Sequence, residues 1–135
     1  MGAWGSGTFE NDTACDFAAE VADNRDLAKI VSALDRALAS GRSCLEAPDA
    51  EEALAAADIV ARLRGNFGPQ TAYTEEIDTW VKNYKLSVSD DLANKAREAV
   101  NRVITPPSEL LELWAESDEA ASWKSAVGSV LSRLT

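Results

Sequence analysis

Histidine is absent from all 135 residues. That removes the commonest general base and metal ligand, so Ser-His-Asp and Cys-His nucleophile systems are ruled out, as are zinc sites that use histidine. Cysteine is scarce. Cys15 and Cys44 cannot form a thiolate zinc site alone, and they read as ordinary cytosolic thiols, Cys15 at the edge of a buried helix face and Cys44 in a loop. No apolar run approaches the roughly 18 residues of a membrane span, and the first residues lack the positive and apolar regions of a secretory signal. The expectation is a soluble, cytoplasmic protein with no membrane partner.

Positive charge is the other shortage. Lys and Arg number 13 against 23 Asp and Glu, a formal net charge of −10, and both halves of the chain are acidic. Nucleic acid binding needs cationic neutralisation of phosphates and is disfavoured here. The balance favours a basic protein as partner. A chain of this length fits one domain, residues 1–135, able to bury roughly two thirds of its unfolded surface, with no cofactor or structural metal needed.

What the chain does have, at its start, is glycine around large aromatics: Met1-Gly-Ala-Trp-Gly-Ser-Gly-Thr-Phe-Glu-Asn-Asp12. Glycine tolerates tight bends, so residues 1–11 read as an irregular arm. Trp4 and Phe9 would each forfeit roughly 2–3 kcal/mol if left in water, which predicts that both rings dock on the helices. The first reading is therefore a strap. The second is a binding loop of Trp4, Gly5, Ser6, Gly7, Phe9, Asn11 and Asp12, since glycine-rich turns before a helix can present backbone amides to an anion. No strand precedes the run and no Lys or Arg occurs before Arg25, which weighs against a phosphate loop.

The motif Met1-Gly-Ala-Trp-Gly-x-Gly-x-Phe-x-Asn-Asp12, followed by Ala14 and Asp16-Phe17, resembles the start of a family of small, mostly bacterial proteins known as domain of unknown function 4259. Ser108-Glu-Leu-Leu-Glu-Leu-Trp114 is a second, weaker similarity. The resemblance implies a shared fold and a bacterial source. It implies no catalytic residue, because the family carries no established activity.

Beyond the arm, apolar residues recur at helical spacing throughout. A first helix is predicted from Asn11 or Asp12 with Ala14, Phe17, Ala18 and Val21 inward. A second starts at Asp26 with Leu27, Ile30, Val31, Leu34 and Leu38 on one face, stopped by Gly41. After a loop holding Cys44 and Pro48, an alanine-rich third helix runs from Asp49 to Arg64, with Leu54, Ala57, Val60, Ala61 and either Leu63 or Arg64 inward; its small side chains suit a central helix. Residues 66–73 form an irregular stretch, a connection or a binding loop. A fourth helix opens at Thr74 with Ile77, Trp80, Val81 and Tyr84 aligned. A fifth opens at Ser89, carrying Leu92, Ala96, Val100, Val103 and Ile104, and Pro106-Pro107 ends it. Ser108 caps a sixth helix to about Glu116, its buried side supplied by Leu110, Leu111, Leu113 and Trp114. A last helix from about Asp118 carries Trp123, Val127, Val130, Leu131 and Leu134. The expected fold is all-α: six or seven short helices in a compact bundle, with the arm packed across it.

One acidic constellation stands out. Glu109, Glu112 and Glu116 fall at i, i+3 and i+7, with Asp118 and Glu119 beyond and no base between Arg102 and Lys124. It reads as a solvated face, as part of a divalent-cation site, or as a negative patch flanked by Trp114 or Trp123 that meets a basic protein. The leading functional expectation is a non-catalytic interaction or inhibitor module resembling an immunity protein. The alternative is a binder or enzyme for a small molecule or divalent metal, built on the Trp4–Asp12 loop and nearby carboxylates; it requires a concave pocket beside the arm with at least one carboxylate inside and Trp4 on its wall.

Overall fold

Asn11 starts the helical part of the chain. Its backbone is extended and its side-chain oxygen accepts from the Ala14 amide at 2.7 Å, satisfying one of the amides a helix leaves free in its first turn. The computed structural model describes residues 5–135, which hold seven helices and no strand. They are α1 (Asp12–Ala22), α2 (Ala28–Ala39), α3 (Ala47–Leu63), α4 (Glu75–Tyr84), α5 (Asp90–Val103), α6 (Glu109–Ala115) and α7 (Ala120–Arg133). The fold is an all-α bundle. None of these helices is long and apolar enough to cross a membrane.

The axis of the bundle is α3, which packs against every other helix. Ala50, Ala53, Ala55, Ala56, Ala57 and Ala61 are fully covered by neighbours on all sides. Short side chains bring the surrounding backbones close, and a larger residue at these positions would push helices apart. The helix starts two residues earlier than predicted, because Pro48 enters its first turn, where the missing N–H costs nothing. Beyond its last residue, Leu63, and the cap Arg64 stands Gly65, whose φ of +90° is a conformation few other residues adopt cheaply.

Other differences from the predicted stripes are local. Val31 and Leu38 are half-buried and Ala33 and Ala37 take the core side of α2. Tyr84 is exposed, its ring edge-on to Trp80 and beneath the Arg25 guanidinium. The first turn of α7 begins at Ala120, since Ser117 and Asp118 form the turn that follows α6. Trp114 and Trp123 stack face to face, centroids 6.1 Å apart, and both are buried. Ser108 also closes a loop contact: the Leu45 amide donates to Pro107 O at 3.1 Å and the Glu109 amide to Leu45 O at 2.9 Å, which ties the entry of α6 to the entry of α3.

Candidate functional site

The predicted inner edge of α3 was Leu63 or Arg64; the structure buries Arg62 instead. Leu63 is half-buried and Arg64 exposed, while only 1% of Arg62 is accessible. A guanidinium at that depth requires partners for its charge and its N–H groups. Asp58, one turn earlier on the same face, accepts from Arg62 Nε at 2.8 Å, and Asp78 of α4 accepts from Nη1 at 2.7 Å. Nη2 donates to the Pro69 carbonyl at 3.0 Å. A second cation comes from the far end of the chain: Arg133 of α7 donates from Nη1 to Asp58 Oδ1 at 3.0 Å and from Nη2 to Oδ2 at 3.2 Å. Thr74 donates to the other oxygen of Asp78 at 2.8 Å. Two buried carboxylates and two guanidiniums thus balance one another.

The arm lies over this network. Phe9 is buried with the Arg62 guanidinium 5.5 Å from its ring centroid, and Phe67 flanks the same cation at 6.0 Å. The glycines have a definite task. Gly7 N–H donates to Glu10 Oε1 at 2.9 Å, and a Cβ on Gly5 or Gly7 would lie 2.6 or 2.5 Å from the Glu10 carboxylate oxygens. A side chain at either position would have to displace the Glu10 carboxylate. In this structure the Gly-x-Gly segment wraps the Glu10 carboxylate of the chain itself.

Between arm and bundle is a cavity of about 120 Å³. Residues 7–10 of the arm form one wall, Pro69, Thr71, Tyr73 and Thr74 of the 66–73 stretch and the α4 entry another, and Ala126 and Ser129 of α7 a third; Asp58, Arg62 and Arg133 lie at its base. A concave site beside the arm with carboxylates in its lining is one part of what the ligand-binding alternative required; the other part, Trp4 on its wall, falls on a residue outside the described ones. Of the loop residues proposed from sequence, Gly7 and Phe9 line the cavity, Gly5 and Ser6 are half-buried without lining it, Asn11 serves as the cap of α1, and Asp12 is exposed on its first turn. Trp4 lies outside the described residues.

Two further groups sit near the arm. Cys15 Sγ donates to the Phe9 carbonyl at 3.1 Å, and burial, with the charges of Asp12 and Asp16, raises its pKa, so the thiol stays protonated and unreactive at neutral pH. Glu51 of α3 is buried beside Gly7, Thr8 and the stacked tryptophans. Burial, then the negative charges of Asp12 and Glu109, raise its pKa, against the opposing effect of a hydrogen bond with Thr13. A carboxyl that titrates higher folded than unfolded binds its proton more tightly in the native state. Stability then falls as pH rises from the ordinary glutamate range through the folded pKa, and is level below and above that window. Glu51→Gln is expected to raise the melting temperature at pH 7.5, with the gain fading towards pH 4; a gain that grows on acidification would contradict this placement of Glu51.

Comparison with known proteins gives the family of the chain. The model of Domain of unknown function (DUF4259) matches residues 2–126. The chain belongs to this family. No curated protein and no solved structure matches it. In this DUF4259 chain the match spans the arm, the 66–73 stretch and the first half of α7, so the cavity falls within it save for Ser129 and Arg133.

The acidic constellation divides. Glu109 turns towards the bundle, its Oε1 accepting from the Ala47 amide at 2.7 Å, where its charge meets the positive end of the α3 dipole. Glu112, Glu116, Asp118 and Glu119 are exposed, and none makes an ion pair. Helix α6 ends at Ala115, so Glu116 caps it rather than extending the row. Leu113, expected on the buried side, is 38% exposed among them, because a seven-residue helix presents only Leu110 and Trp114 fully to the core. Both tryptophans face inward and do not flank the patch from outside. Among the described residues no three Asp, Glu or Cys side chains converge to hold a metal ion.

Sequence reading missed Asp58, Arg62, Asp78, Arg133 and Glu10. One signal was present: Asp58 and Arg62, at i and i+4, interrupt the otherwise apolar run of residues 53–63.

Proposed function

We propose that this protein is a non-catalytic interaction module that offers the acidic corner between α6 and α7 to a basic surface of a partner protein, as an inhibitor or immunity protein would, in the cytoplasm of a bacterium. The observation that carries this reading is the group Glu112, Glu116, Asp118 and Glu119, exposed and unpaired around the partly exposed Leu113. Uncompensated charge around an apolar residue accelerates encounter with a partner of opposite sign and supplies an anchor once docked. Immobilised protein incubated with lysate of its source cell at low salt should retain a basic protein at one-to-one stoichiometry. The Glu112→Lys/Glu116→Lys variant should lose it, and so should raising salt to about 0.5 M, where screening shortens the reach of surface charge. Equal recovery by the reversed variant, or no stoichiometric protein at all, would sink the proposal.

A second reading rests on the cavity. Apolar walls with a few convergent polar groups are the usual composition of a small-molecule site. On that reading the arm is one wall of the site and the ionic network its base.

A further inference from the structure

The cavity beneath the arm also constrains what could occupy it, and this step rests on the second, ligand-binding reading. We infer that it takes a compact, uncharged molecule with an apolar body and one carbonyl-type acceptor, held by Arg133.

Size comes first. At about 120 Å³ the space is somewhat smaller than the roughly 150 Å³ of a cavity that admits benzene, which limits the occupant to about six non-hydrogen atoms. The ring of Phe9, Pro69 and Ala126 favour a hydrocarbon body.

Charge comes second. Asp58 and Asp78 neutralise Arg62 and Arg133, and Glu10 adds a carboxylate at the rim. An anion entering would face Asp58 and Glu10; a cation would face two guanidiniums. At the base neither finds an uncompensated countercharge to offset the loss of its hydration, and the one lining carboxylate without an ion pair among the described residues, Glu10 at the rim, already accepts from the Gly7 amide on one oxygen.

Hydrogen bonding decides the rest. Both oxygens of Asp58 are already taken by guanidinium N–H groups, so the base offers a donating ligand little. Arg133 has five N–H groups. Nε donates to Ser129 Oγ at 3.2 Å, Nη1 to Asp58 and to the Asn66 carbonyl, and one N–H of Nη2 to Asp58. The fifth has no partner among the described residues, and the guanidinium is partly exposed and lines the cavity. What complements a spare donor is an acceptor.

The test uses three probes of similar size: 2-pyrrolidinone (neutral, with a carbonyl), butyrate (anion) and pyrrolidine (cation at pH 7). Each is titrated into isotope-labelled full-length protein while backbone amide shifts are followed at Thr8, Phe9, Thr71, Thr74 and Ala126. Saturable shifts are expected with 2-pyrrolidinone, at an affinity at least tenfold above that of either charged probe. Ala126→Leu, which fills the cavity from α7, should abolish them, and nuclear Overhauser contacts from the probe to the Phe9 ring in the unmodified protein place it independently of that variant. Butyrate or pyrrolidine binding as tightly at the same residues overturns the assignment to a neutral acceptor while leaving the cavity a binding site. No saturable shift from any probe, or shifts that survive Ala126→Leu without contacts to Phe9, overturns both.

Discussion

Asp58→Ala is expected to destabilise the protein by about 3–5 kcal/mol, the usual cost of leaving a buried charge without its partner. A single carboxylate holds Arg62 at 2.8 Å and both terminal nitrogens of Arg133, and only 2% of Asp58 is accessible. Its loss leaves Asp78 as the one buried countercharge for two guanidiniums. Only 1% of Arg62 is accessible, with Phe9 and Phe67 flanking its guanidinium. For a domain of this size the melting temperature should fall on the order of 10–20 °C. Adding Arg62→Met to Asp58→Ala removes one of the stranded charges, so the double variant should be more stable than the sum of the two single losses implies, a coupling that a double-mutant cycle in denaturant measures. A loss below about 1 kcal/mol for Asp58→Ala would mean that these charges are solvated, contrary to the structure.

Phe9→Ala is expected to cost about 3 kcal/mol, the range for deleting a buried aromatic. Phe9 fixes the arm: the ring is buried on Arg62, its carbonyl accepts from Cys15, and the Gly5–Glu10 turn immediately precedes the α1 cap. Amide hydrogen exchange in residues 5–11 should accelerate well beyond that of α3, since Phe9 is the one fully buried side chain among residues 5–10. Phe9→Leu separates the two contributions: it keeps part of the apolar burial and loses the ring face presented to the guanidinium, so its cost should be smaller. If exchange in the arm is unchanged in Phe9→Ala, the strap is held by something other than this ring.

The helices were legible because periodicity and breakers act over a few residues. Ala14, Phe17, Ala18 and Val21 repeat at the spacing of one helix face and are buried on it; Gly41, Gly65 and Pro106-Pro107 terminate elements where their backbone preferences require. The central place of α3 followed from its alanines for a similar reason, since small side chains favour close neighbours. Where local rules met a tertiary constraint they gave way. Tyr84 fits the stripe of α4 but falls at the last turn, beyond the reach of the core, and Leu113 sits on a helix too short to bury a broad face.

The candidate site was only half legible. Gly5, Gly7, Phe9 and Asn11 were visible as a motif, but their roles depend on Glu10, a residue with no distinguishing neighbours in the sequence. Glu109 and Glu112 looked alike as members of one acidic row, yet one caps α3 across the molecule and the other faces water.

What the sequence by itself determined is the helical class, the order and approximate limits of the helices, the acidic surface, and the exclusion of histidine-dependent chemistry. These follow from residue type and short-range spacing. Tertiary structure alone decided that Arg62, not Leu63 or Arg64, is the inner residue at the end of α3. It also decided that Asp78 and Arg133, 16 and 75 residues from their partners, complete a neutral buried network beneath the arm. The reason is that a charge becomes buried only when several separate elements supply its countercharges together, and no single stretch of chain records that convergence.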